Sequence, residues 1–166
     1  MKHRQGFVSN SSSSSFIVGF DKVPETVEEM HSCLFPGGDT TVQPYDSSMT
    51  SREVAEQVFS DLEPSKGVNA LIEMFKDTYY DRAIYEETSA LESKFLAEGL
   101  SYHEAWKKAD DITKPKIVNV FNKFFEKHVG LKFHVFEYCD NDSVQGGILE
   151  HGGIFNNLPH MQISQH

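Results

Sequence analysis

The apolar residues of this chain change period along its length. Before residue 20 they come in short runs broken by serines, from about residue 50 to 129 they recur every three or four positions, and from residue 131 they return to a strand-like pattern. Pro24 with Glu25 predicts a helix start, because proline at the first helical position loses no needed N–H and acids favour the N-terminal dipole. Val27, Met30 and Leu34 follow at helical spacing, and Pro36, Gly37 and Gly38 end the run. Residues 39–49 are rich in Thr, Pro, Asp and Ser and predict a loop with room for a short edge strand at 41–43.

In the periodic middle, Thr50 and Glu53 have capping-box spacing, Val54, Ala55, Val58, Phe59 and Leu62 make one face, and Pro64 closes it. A second helix is expected over 64–79 with Leu71, Ile72 and Phe75 inward, and a third over 81–98 ending at Gly99, a residue suited to the left-handed position after a helix. Ser101 and Glu104 cap a short helix carrying Ala105, Trp106 and Ala109. Pro115 opens the last helix, where Ile117, Val118, Phe121, Phe124 and Phe125 share a core-facing stripe that stops at Gly130.

Residues 131–138 are apolar or aromatic on both faces, with Phe133 and Val135 on one and His134, Phe136 and Tyr138 on the other, which predicts a central strand. Residues 16–20 are the matching strand near the start, and the two are expected to pair. The sequence therefore predicts one α+β domain over 1–166. A small, mainly antiparallel sheet from about 6–20 and 131–166 packs on a helical layer from about 50 to 129. A chain of 166 residues is long enough to bury a sizeable core, and thirteen phenylalanines make that core one of few, large side chains.

Charge narrows the choice of partners. Twenty-five acidic against fifteen basic residues give a net charge of -10, which disfavours nucleic acid as a partner and favours a basic protein. Cys33 and Cys139 form no CxxC pair, which points to a reducing compartment. The first twenty residues lack the continuous apolar stretch of a signal peptide, and no window approaches a membrane span, so a cytoplasmic location without membrane attachment is expected.

The two ends carry a family likeness. The opening RQGFVSNSSSSSFIV resembles the start of a family of small bacterial and bacteriophage proteins that begin with a GFVSNSSSSSF-type segment. The closing EYCDNDSVQGGILEHGGIFNNLPHMQISQH is similar to the ending of members of that family: an acidic turn, LEHG, a phenylalanine, LPH and a terminal IS-x-H. The resemblance spans residues 4–18 and 137–166, leaves the helical middle unmatched, and implies a bacterial or phage origin without implying an activity.

Candidate chemistry gathers in residues 131–166, which read as strand, acidic turn, glycine turns at Gly146-Gly147 and Gly152-Gly153, and terminal strand. Asp140 and Asp142 follow the strand, with Glu150 and His151 beyond the first glycines and His160 after Pro159. Carboxylates at a strand end hold Mg²⁺ or Ca²⁺ or orient a nucleophile, since hard cations want oxygen ligands; the same residues also make an ordinary turn. Histidines 134, 151, 160 and 166 raise a zinc reading. In a straight strand His160 and His166 would stand roughly 20 Å apart, too far for one ion. No HExxH, GxSxG or phosphate-binding glycine motif is present, and Cys139 beside Asp140 reads as a buried structural thiol.

The expectation is that Asp140, Glu150, His151 and His160 converge on one polar pocket, with Asp142 as a further catalytic candidate. The leading functional reading is a cytoplasmic binding or regulatory protein that acts through protein contacts, needs no cofactor and leaves self-association open. The alternatives are a metal-assisted hydrolase or nuclease using the Asp/Glu/His group, with a divalent metal on Asp140, Glu150, His151 and His160, and a structural component of a phage particle.

Overall fold

In the computed structural model, which describes residues 13–140 and 143–164, the elements run β1 (Ser13–Phe20), α1 (Val27–Leu34), β2 (Thr41–Val42), β3 (Met49–Thr50), α2 (Ser51–Ser60), α3 (Val68–Phe75), α4 (Arg82–Ala97), α5 (Tyr102–Lys127), β4 (Lys132–Cys139), α6 (Val144–His151) and β5 (His160–Ser164). The fold is α+β. The chain divides into two compact units, Met1–Ser65 with Leu131–His166, and Lys66–Gly130. Of the stretch expected to form one helical layer, α2 belongs to the first unit and α3, α4 and α5 make up the second.

In the first unit β1 pairs antiparallel with both β4 and β5. The expected pairing of residues 16–20 with 131–138 is present, with Phe16 opposite Phe136 and Val18 opposite His134. The expected central strand is not the one observed. Among the described residues β1 lies in the middle and β4 at an edge. Seven successive positions of β1, from Ser14 to Phe20, are buried. Ser14 and Ser15 hide this from a hydrophobicity reading, because they enter the interior by hydrogen bonding rather than by apolar contact. The apolar faces of β4 follow from being covered on both sides, which an edge strand also allows.

One face of the sheet, with Phe16, Val18, Phe20, Phe136 and Tyr138, packs with Met30 and Leu34 of α1, Val54, Ala55 and Val58 of α2, and Ile148 and Leu149 of α6. Phe155 sits between Phe16 and Phe136, with ring centroids 5.2 and 5.1 Å away. Burying a side chain of this kind contributes about 1.5–3 kcal/mol. The α2 capping box is present in both directions. Helix α1 starts at Val27 instead of Pro24, because the Thr26 hydroxyl caps the Glu29 N–H at 3.1 Å while the Glu29 carboxylate reaches back to the Glu25 N–H and to Lys22. Pro24 is lead-in.

In the second unit α3 is shorter than expected and begins after Gly67, with Leu71, Ile72 and Phe75 buried as predicted. The N-cap of α4 is Asp81, whose carboxylate accepts the Ile84 N–H, and the chain leaves it through Gly99 at φ +92°. The predicted break at Pro115 is absent: α5 is one 26-residue helix with Pro115 inside. A proline there removes one ladder bond and costs about 3 kcal/mol. The helix continues because it is fastened on both sides of that point: the Thr88 hydroxyl donates to Thr113 at 2.8 Å, Lys116 reaches Glu87 at 2.6 Å and Lys114 pairs with Asp77. Phe121 and Phe125 of the predicted stripe are buried, with the Tyr79 ring edge-on to Phe121.

Candidate functional site

The candidate group forms where β4 ends. Residues 144–151, expected to be a glycine turn, are the helix α6. Its start is set by Ser143, whose hydroxyl accepts the Gly146 N–H at 2.9 Å. Gly146 is needed for proximity: a Cβ there would stand 2.2 Å from the Cys139 carbonyl oxygen. The helix therefore lies against the end of β4, and Gly153, at φ +62°, turns the chain away after it.

Two helical turns bring Glu150 back to the strand it followed. Its side chain is fully enclosed. Oε1 accepts a hydrogen bond from the Ser14 hydroxyl at 2.9 Å, and Oε2 accepts one from the Asp140 backbone N–H at 3.0 Å. Ser14 in turn accepts the Gln162 amide at 3.1 Å, so donors run from β5 through β1 to the carboxylate. His151 Nε2 lies 3.6 Å from Oε2, and its ring stands edge-on to Tyr45 at 5.5 Å. Asp140, Glu150 and His151 each offer one ligand atom within 4.8 Å of the others. Two carboxylates and an imidazole at that spacing suit a divalent cation or a proton relay.

Three of the four residues expected to converge do so. His160 does not: its Nδ1 bonds the Leu158 carbonyl at 3.0 Å and its ring faces Phe155. The register explains this, since His160 sits opposite Val18 while Glu150 bonds Ser14. Four residues along β1 correspond to about 13 Å. His134 is buried, and its Nδ1–H donates to the Glu63 carbonyl at 2.7 Å, so it serves the core. Asp142 and His166 lie outside the described residues, as do residues 1–12 with the first serines of the run. Cys33 and Cys139 are free thiols, both half-buried rather than enclosed.

Sequence reasoning missed Ser14 and Gln162. The signal was there for Ser14: it lies in phase with Phe16, Val18 and Phe20, which face the core.

A second feature, unanticipated, lies in the helical unit. Helices α4 and α5 and the residues before α4 enclose a cavity of about 310 Å³. Tyr80, Tyr85, Tyr102 and Trp106 stand around it, exposed by 58%, 60%, 70% and 47%. Asp81, Glu92 and Asp110 also line it, and among the described residues no Lys, Arg or His does. Trp106 is exposed on α5, whereas Ala105 and Ala109 of the same helix are fully buried.

Comparison with family models, with curated proteins and with solved structures finds no match. Among the described residues no helix is long and apolar enough to cross a membrane.

Proposed function

We propose that this protein acts by binding a basic partner protein, as a regulatory protein of bacterial or phage origin working in the cytoplasm, and that it binds through the α4–α5 face. The supporting observation is the ring of four large aromatic side chains left in solvent around one cavity. Burying such rings is favourable by about 1.5–3 kcal/mol each, so a cluster of them held at the surface marks an interaction site. The net charge of -10 favours a basic partner. The enclosure of Glu150 also disfavours its use as a general base, since a base must come within hydrogen-bond reach, about 2.6–3.2 Å between heavy atoms, of the group it deprotonates. The test is photo-crosslinking in the cells that make the protein, with a photoreactive residue at position 102 or, as control, at the exposed Val129. Binding predicts an adduct of one defined mass from position 102 alone; identical adducts from both positions would contradict it.

A second reading, metal-assisted hydrolysis at Asp140, Glu150 and His151, is favoured by the 4.8 Å grouping of their ligand atoms. It predicts stoichiometric Mn²⁺, Zn²⁺ or Ca²⁺ binding that both Asp140→Ala and His151→Ala abolish without unfolding the chain. Binding that survives both changes would remove it.

A further inference from the structure

We infer that the α4–α5 cavity is a guanidinium site, occupied by an arginine side chain of the partner. The inference rests on the binding reading above and names the chemistry of the same surface. A cation is called for by two features that coincide. Aromatic faces attract positive charge through the ring quadrupole, and Tyr80 and Tyr85, with ring centroids 5.5 Å apart, form one wall of the cavity while Tyr102 and Trp106 of α5 contribute further rings. The three carboxylates lining it are half-buried, where charge is screened less than in open water. One Asp81 oxygen caps the Ile84 N–H, and the nearest cation to Asp110 among the described residues, Lys114 Nζ, is 3.9 Å away and also paired with Asp77. Three neighbouring basic side chains are committed elsewhere: Arg82 to Glu86, Lys116 to Glu87, and Lys108 over the Phe95 ring. The cavity thus keeps its negative character.

Arginine fits this lining better than lysine. Its planar guanidinium stacks on aromatic rings and still directs its N–H donors sideways to carboxylates, whereas an ammonium is a compact, strongly hydrated point charge. At about 310 Å³ the cavity lies at the small end of ligand pockets, suited to one long side chain with its adjoining backbone.

Trp106 is the single tryptophan of the chain and reports on the cavity directly. Its emission is followed while the whole protein is titrated with an amidated peptide of alternating arginine and glycine, and with lysine and glutamate counterparts. The arginine peptide is expected to give a saturable change, about tenfold tighter than the lysine peptide and weakened by added salt. Tyr85→Ala and Glu92→Gln, checked for unchanged circular dichroism, are each expected to weaken it by about tenfold. Equal affinity for the lysine peptide overturns the guanidinium assignment, and a response equal to that of the glutamate peptide overturns the cation site altogether. A concentration-dependent dimer that Tyr85→Ala dissolves would make a second copy of this chain the occupant and likewise overturn it. If the arginine peptide fails while the adduct from position 102 persists, this inference falls and the binding reading stands; loss of both removes both.

Discussion

The Glu150 group and the α4–α5 cavity are built from similar parts, carboxylates beside aromatic or imidazole rings, yet they stand in opposite states. At Glu150 the fold itself supplies the donors: Ser14 from β1, the Asp140 N–H from the end of β4, and Gln162 from β5 behind Ser14. Around the cavity the rings stay in solvent and, among the described residues, the lining carries no basic side chain. A buried carboxylate must be satisfied from within or it would destabilise the fold. An exposed cluster is under no such constraint and is free to be completed by another molecule. The same residue types make a closed structural joint in one place and a solvent-facing cluster in another, according to where their partners come from.

The largest effects should come from removing the core of either unit. Phe155→Ala in the first and Phe121→Ala in the second should each cost about 3–5 kcal/mol, since both rings are enclosed and each leaves a cavity. Unchanged denaturant midpoints would show that the rings do not support these units. Next comes the joint. Glu150→Ala leaves the Ser14 hydroxyl buried without its acceptor and should cost about 1–3 kcal/mol, whereas Tyr102→Ala should change stability by no more than about 0.5 kcal/mol. Equal losses in urea unfolding would erase the contrast between joint and surface.

A pH titration sharpens it further. Burial first, and then the neighbouring Asp61 carboxylate, raise the Tyr138 phenol far above its ordinary range. An unfolded tyrosine ionises near pH 10 while Tyr138 keeps its proton, so its contribution is complete below about pH 10 and is lost as pH climbs beyond. Tyr138→Phe should flatten that alkaline decline, and an undiminished decline in the variant would assign it elsewhere.

Much of this was legible in the chain wherever a local signal and the packing agreed. Thr50 with Glu53, Ser101 with Glu104, and Gly99 each mark a helix end by a bond or dihedral contained within a few residues. The pairing of β1 with β4 could be read from apolar runs that have no other place to go. The misreadings have the opposite character. Pro115 announces a break that contacts between α4 and α5 override, and Gly146-Gly147 looks like a turn because the need for closeness to Cys139 is not visible in sequence. The burial of Ser14 is hidden from the sequence because it depends on a carboxylate more than a hundred residues later. The grouping of Asp140, Glu150 and His151 could be anticipated, but the exclusion of His160 follows from the β1–β5 register, which no short window specifies. The aromatic ring of the cavity went unseen because Trp106 shares a helix turn with two buried alanines.

On the proposed reading the protein binds through the α4–α5 cavity while the Glu150 group holds the fold. Its most direct test is the yield of the adduct from position 102 in two further backgrounds, Tyr85→Ala at the cavity and Asp140→Ala at the exposed rim of the Glu150 group. Tyr85→Ala should remove most of the adduct and Asp140→Ala should leave it intact; loss with Asp140→Ala and retention with Tyr85→Ala would place the binding surface elsewhere.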